Sequence, residues 1–192
     1  MTILDHVVET SWAGPMLWAV LYVSDHGLTL AGARRYRIQE NIVFEGSYEI
    51  TPMFQAEVDA LRGVSPRFLA MLLMSTAYLW LVRGVAGPST LYIVVLGAMV
   101  LVEGTVHMRH LRNWFLFAKG AGVFRGQITY PRRLLLTMSA FELLLFAGLY
   151  ASLFAVTGSA FILGGSLACG VLSLNHYRLA RRERRSAASV AA

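Results

Sequence analysis

Glu103, His107 and His110 stand in the second half of an apolar run at residues 91–114, spaced by four and then three residues. At ~100° per residue their side chains fall within about 60° of one another on a helix, one polar stripe along an otherwise apolar rod. Imidazole suits zinc and iron and carboxylates suit harder ions, so the stripe offers Glu103, His107 and His110 as metal ligands. The same groups can also act as general acid and base. Ionisable groups inside a membrane are costly and usually face a bundle interior or a wet cavity, which marks the stripe as a site.

Other segments add groups at a similar depth. Counting inward from the flanking arginines at about 1.5 Å per residue, Asp25 and His26 lie about 12 Å from Arg34, Glu103 about 9 Å from Arg109 and Glu142 about 13 Å from Arg133. The expected catalytic carboxylates are therefore Glu103, Glu142 and Asp25, and the expected metal set is Glu103, His107, His110 and Glu142. His26, His107 and His176 are candidate cofactor ligands, and two of them on different helices could grip a haem b. No basic residue on its own helix reaches Glu142, so it must be protonated, paired across helices with His26 or His107, or bound to a cation. Asp25 and His26 point about 100° apart, so only one of them faces the cluster. Arg109, Arg112, Arg132 and Arg133 form a rim that could hold anionic lipid head groups or a phosphorylated substrate, or only anchor the chain.

Each feature has a plainer reading beside it. Glu103 and His107 can satisfy one another as an i,i+4 pair. His110, between Arg109 and Arg112, fits an interfacial contact, and Asn175-His176 a solvated helix end. The spacing matches neither the HExxH of zincins nor the paired Glu-x-x-His of di-iron bundles, and the chain has one HxxH where membrane desaturases carry several His boxes.

The elements that must carry these residues are membrane spans. Of the 192 residues 56% are apolar, in several nearly uncharged runs of span length, so the fold expected is all-α and polytopic. The ten-residue alternating segments of a membrane β-barrel are missing. Five spans are expected in one membrane-embedded domain over 1–192: about 11–33, 67–84, 89–109, 134–156 and 160–177, with long loops at 34–66 and 110–133. The acidic start, with Asp5 and Glu9 and no basic segment, leaves the first span expected to be retained. In the first loop, 38–50 suggests a short hairpin or an irregular lid, and Thr51-Pro52 opens an amphipathic helix ending near Gly63. Ser65-Pro66 and Tyr130-Pro131 restart helices, Gly120, Gly122 and Gly126 break the second loop, and SAASVAA reads as an unstructured terminus.

Sixteen of seventeen Lys and Arg fall on the side of the two long loops and the basic tail, and Arg83 alone falls on the other. By the positive-inside rule the N-terminus is expected outside and the C-terminus in the cytoplasm, in the inner (plasma) membrane. The net charge of +6 thus orients the chain and implies no nucleic-acid partner. The single Cys169 excludes an intrachain disulfide and a dithiol redox pair. Small residues four apart, Ala147, Ala151 and Ala155 with Gly164, Gly165, Ala168 and Cys169, allow the fourth and fifth spans to pack closely or to form an oligomer face. Three functions follow: a metal- or cofactor-dependent enzyme acting on a lipid or quinone-like substrate at the cytoplasmic leaflet, a non-catalytic accessory subunit docking a membrane-protein partner, or a small proton- or cation-coupled transporter.

Overall fold

The structure, a computed structural model, describes residues 3–120, 123 and 125–190. It is almost wholly helical. In chain order, α1 covers Ile3–Glu9, α2 Ala13–Tyr36, β1 Ile42–Phe44, α3 Gln55–Asp59, α4 Pro66–Ala86, α5 Thr90–Gly120, β2 Ile128–Tyr130, α6 Arg132–Thr157 and α7 Ala160–Val190. Among the described residues four helices are long and apolar enough to cross a membrane: Pro66–Ala86, Thr90–Lys119, Arg132–Thr157 and Ala160–Arg184. The 24-residue α2 is as long but less apolar, because Ser24, Asp25 and His26 interrupt it. Large apolar side chains such as Leu73, Trp80, Leu145, Leu153 and Val171 point outward, as lipid contact requires.

Helix starts follow local chemistry. Ser65 Oγ accepts from the Phe68 amide at 3.1 Å with Pro66 at the first helical position of α4. At the α6–α7 turn Gly158 is left-handed and its N–H donates to Phe154 O. Thr51 makes no side-chain cap; Pro52–Phe54 is a 3-10 turn leading into the short α3, which ends at Asp59 rather than near Gly63. Leu61, at φ 52°, turns the chain there.

The α5–α7 crossing is the tightest in the bundle. A Cβ on Gly97 would lie 2.6 Å from the Phe161 carbonyl carbon, and one on Gly164 2.6 Å from Ala98 N. Gly164 and Gly165 thus let α7 approach α5, whereas Ala147 packs on Cys169 at the α6–α7 contact and Ala151 and Ala155 are exposed. On the side away from the long loops, Trp18, Leu79, Tyr92 and Leu96 form a core closed by Val8 of α1. Arg83 holds α1 there, donating to Val8 O at 3.1 Å and Glu9 O at 2.7 Å.

The two long loops build one cap on the other face. The first makes no hairpin. Instead β1 pairs in parallel with β2, Val43 opposite Thr129, and the Ile128 amide donates to Asn41 O at 2.8 Å. Parallel strands need a long crossover, and here it runs through α3, α4 and α5. α5 does not break near Arg109 but continues to Gly120, 31 residues or about 46 Å, and carries Phe117 into an aromatic cluster with Tyr36, Phe44 and Tyr48. α7 likewise stays helical to Val190, where an unstructured tail was expected, since its alanine-rich end favours helix. Gly122 lies outside the described residues.

Candidate functional site

α2 and α5 pack along one another and bring their polar stripes face to face. Ligand atoms of Asp25, Glu103 and His107 all lie within 4.8 Å of one another. His110, one turn on, places Nε2 3.1 Å from Asp25 Oδ1 and 3.2 Å from Thr29 Oγ1. His107 Nδ1 is 2.7 Å from Glu103 O, and its Nε2 is 2.6 Å from Ser24 Oγ. Glu103 is 8% exposed; its Oε2 makes no hydrogen bond among the described residues but lies 3.9 Å from His107 Nδ1, the i,i+4 pair that the spacing allows. A buried carboxylate oxygen left in this state calls for a proton or a cation.

The cluster opens on a cavity of about 240 Å³ in which Asp25, Glu103, His110, His26 and His176 meet. The first loop roofs it with Tyr48, Glu49, Ile50 and Thr51. Sequence reasoning passed over Tyr48 and Glu49, since a polar loop gives no sign that it will fold back over a bundle. The Tyr48 ring rests on Gly32 of α2, with Cζ at 3.1 Å from where a Cβ would be. Burial, with the Glu49 charge beside it, pushes the Tyr48 hydroxyl up to about 12.

Burial likewise holds the Glu49 carboxyl above the ordinary glutamate range, although the Thr51 amide donates to it at 2.7 Å. The folded chain therefore keeps this proton to higher pH than the unfolded chain, so Glu49 removes stability as pH rises from about 4.3 through its folded pKa. Glu49→Gln is expected to abolish that loss: its thermal midpoint should gain on the parent's between acid and neutral pH. A difference between the two proteins that stays constant over that range would refute the assignment.

The remaining candidates have partners of their own. His26 Nε2 lies 3.1 Å from Gly63 O, with its ring stacked on Phe68 at 4.3 Å between centroids. His176 Nδ1 lies 2.8 Å from Ser139 Oγ on α6. Glu142 pairs with neither His26 nor His107; its Oε2 accepts from Arg109 Nε at 2.7 Å and its Oε1 from Arg112 Nη1 at 3.2 Å. The two arginines lie on α5, which a search along Glu142's own helix could not reveal. Arg132 Nε lies 3.3 Å from Glu183 Oε1, and Arg133 is exposed.

No family model matches the chain, and neither a curated protein nor a solved structure matches it.

Proposed function

We propose that the protein is a multi-pass inner-membrane enzyme of five spans, N-terminus outside and C-terminus cytoplasmic, with a divalent-metal site formed by Asp25, Glu103 and His107 at the cytoplasmic face. Its substrate is lipid or quinone-like. α2 as the fifth span is supported by its length and its packing along α5, and the orientation by the sixteen cationic residues on the side of the cap.

The observation that carries the site is the convergence of two buried or half-buried carboxylates and an imidazole from two helices, with Glu103 Oε2 free of hydrogen bonds among the described residues and 3.9 Å from His107 Nδ1. That donor set suits zinc, iron or manganese. Tetrahedral ligands at about 2.1 Å from a metal stand about 3.4 Å apart, so the spread of up to 4.8 Å must close by side-chain rotation. A metal there would supply Lewis acidity or a water of lowered pKa. His110 Nε2, 3.1 Å from Asp25 Oδ1, forms an ion pair with that carboxylate when protonated. The first loop roofs the cavity, which admits a small reacting group.

One observation favours a second reading. Both ring nitrogens of His107 already have hydrogen-bond partners, as in a self-sufficient acid–base cluster that holds protons without metal.

Elemental analysis of gently purified protein for Zn, Fe and Mn, with an absorption spectrum of the same sample, separates the two. Near-stoichiometric metal is expected, and Asp25→Asn, Glu103→Gln and His107→Ala should each weaken it about a hundredfold or more while the bundle stays folded. A folded, metal-free parent that takes up none of the three metals, or retention unchanged in the variants, would leave the acid–base reading.

A further inference from the structure

Beside the central cavity lies a larger one, about 600 Å³, that the proposed metal chemistry does not use. It sits between α5 and α6, two helices that each pack more closely on α7 than on one another. Its long wall is apolar and faces outward: Met138, Phe141 and Leu145 are 47%, 61% and 58% exposed. In a bilayer that opening meets the acyl chains of the cytoplasmic leaflet. Arg109, Arg112 and Glu142 make a polar patch within it, Glu142 lying between Met138 and Leu145 along α6. An apolar crevice carrying a cationic patch fits one hydrocarbon chain with an anionic head.

The charges narrow the head group. One carboxylate bridges two guanidiniums, so this patch keeps a net positive charge. Arg109 Nη2 is buried with no hydrogen-bond partner among the described residues. A phosphate monoester brings about −1.5 to −2 charges and three acceptor oxygens, enough for both guanidiniums and the unused Nη2. A carboxylate head would only duplicate Glu142, and a choline head would set a cation against the arginines. Arg109 and Asn113 line this slot and the central cavity alike, so a head held here stands at the wall of the Asp25–Glu103 cavity.

We infer that the α5–α6 crevice binds a single-chain amphiphile carrying a phosphate monoester, with Arg109 and Arg112 on the phosphate and Glu142 as the counter-ion that the head displaces. That this ligand is the substrate rests on the enzyme reading above; that it binds does not.

The test uses the full chain in nanodiscs of zwitterionic lipid, with lysophosphatidic acid as the probe and lysophosphatidylcholine and inorganic phosphate as competitors. Lysophosphatidic acid is expected to bind at least tenfold more tightly than lysophosphatidylcholine, with inorganic phosphate failing to displace it at equal concentration. Met138→Trp and Leu145→Trp, which fill the slot from lipid-facing positions, should each weaken binding tenfold or more without changing bound metal. Glu142→Gln should tighten it. Equal affinity for the two lysolipids, displacement by inorganic phosphate, or binding untouched by both tryptophans would overturn the proposal, and the tryptophan variants decide it even where Glu142→Gln does not fold. Phosphate-amphiphile binding by a metal-free protein would sink the metal-enzyme reading alone, whereas metal without such binding would sink this one alone.

Discussion

Glu142→Leu is expected to destabilise the bundle by about 3–5 kcal/mol, read as a loss of folded protein on denaturant titration in detergent without added anionic lipid. The size comes from what is left behind. The Arg109 side chain is only 13% exposed and donates to Glu142 at 2.7 Å, so removing the carboxylate strands a buried cation. Arg112 contributes far less, since its side chain is 58% exposed and solvent or head groups can solvate it. Adding Arg109→Met to Glu142→Leu should recover most of the loss, because replacing both partners of a buried pair with apolar groups is often neutral or better. A single variant within about 1 kcal/mol of the parent would mean that Arg109 finds another partner and that the pair does not hold α5 to α6.

Gly97→Leu is expected to prevent α5 and α7 from assembling, at about 3 kcal/mol or more. Even the first carbon of a side chain would stand 2.6 Å and 2.8 Å from the backbone C and Cα of Phe161, atoms that cannot rotate aside. The helices would have to separate along a contact whose dispersion energy depends on close approach. Gly104→Leu is the control, on the same helix with nothing within 4 Å of its Cβ position, and it should leave the protein monodisperse. Aggregation of Gly97→Leu beside a normal Gly104→Leu is the expected pair of gel-filtration profiles; equal behaviour of the two would contradict this packing.

The candidate site is half legible in the chain. Glu103, His107 and His110 share a helix, where a fixed angle per residue relates them before any folding is known. Asp25 lies on another helix, and its place opposite Glu103 depends on how α2 rolls against α5. Glu142 shows the same limit from the other side: its place on a helix was readable, its partners were not, because the arginines assigned to a loop rim lie on α5, which runs on to Gly120. The glycine pattern on α7 announced a close contact, but only packing settles which neighbour fills it, and Gly164 meets α5.

By itself the chain determined what acts locally or through the solvent. Apolar length makes helices of span size, prolines after Ser65 and Tyr130 start two of them, and the imbalance of cationic residues argues for a sidedness, since each is set by the residues present and not by their neighbours in space. Only the tertiary structure decided what acts between distant segments. β1 finds its partner 86 residues on, opposite β2 of the second loop, and that pairing turns two loops into one cap. The cap buries Glu49 over the cavity, α2 brings Asp25 to Glu103, and α5 brings Arg109 and Arg112 to Glu142. Periodicity carries the direction of a side chain around its own helix but nothing about which helix it will face, and a site shared by α2, α5 and the first loop is a statement about facing.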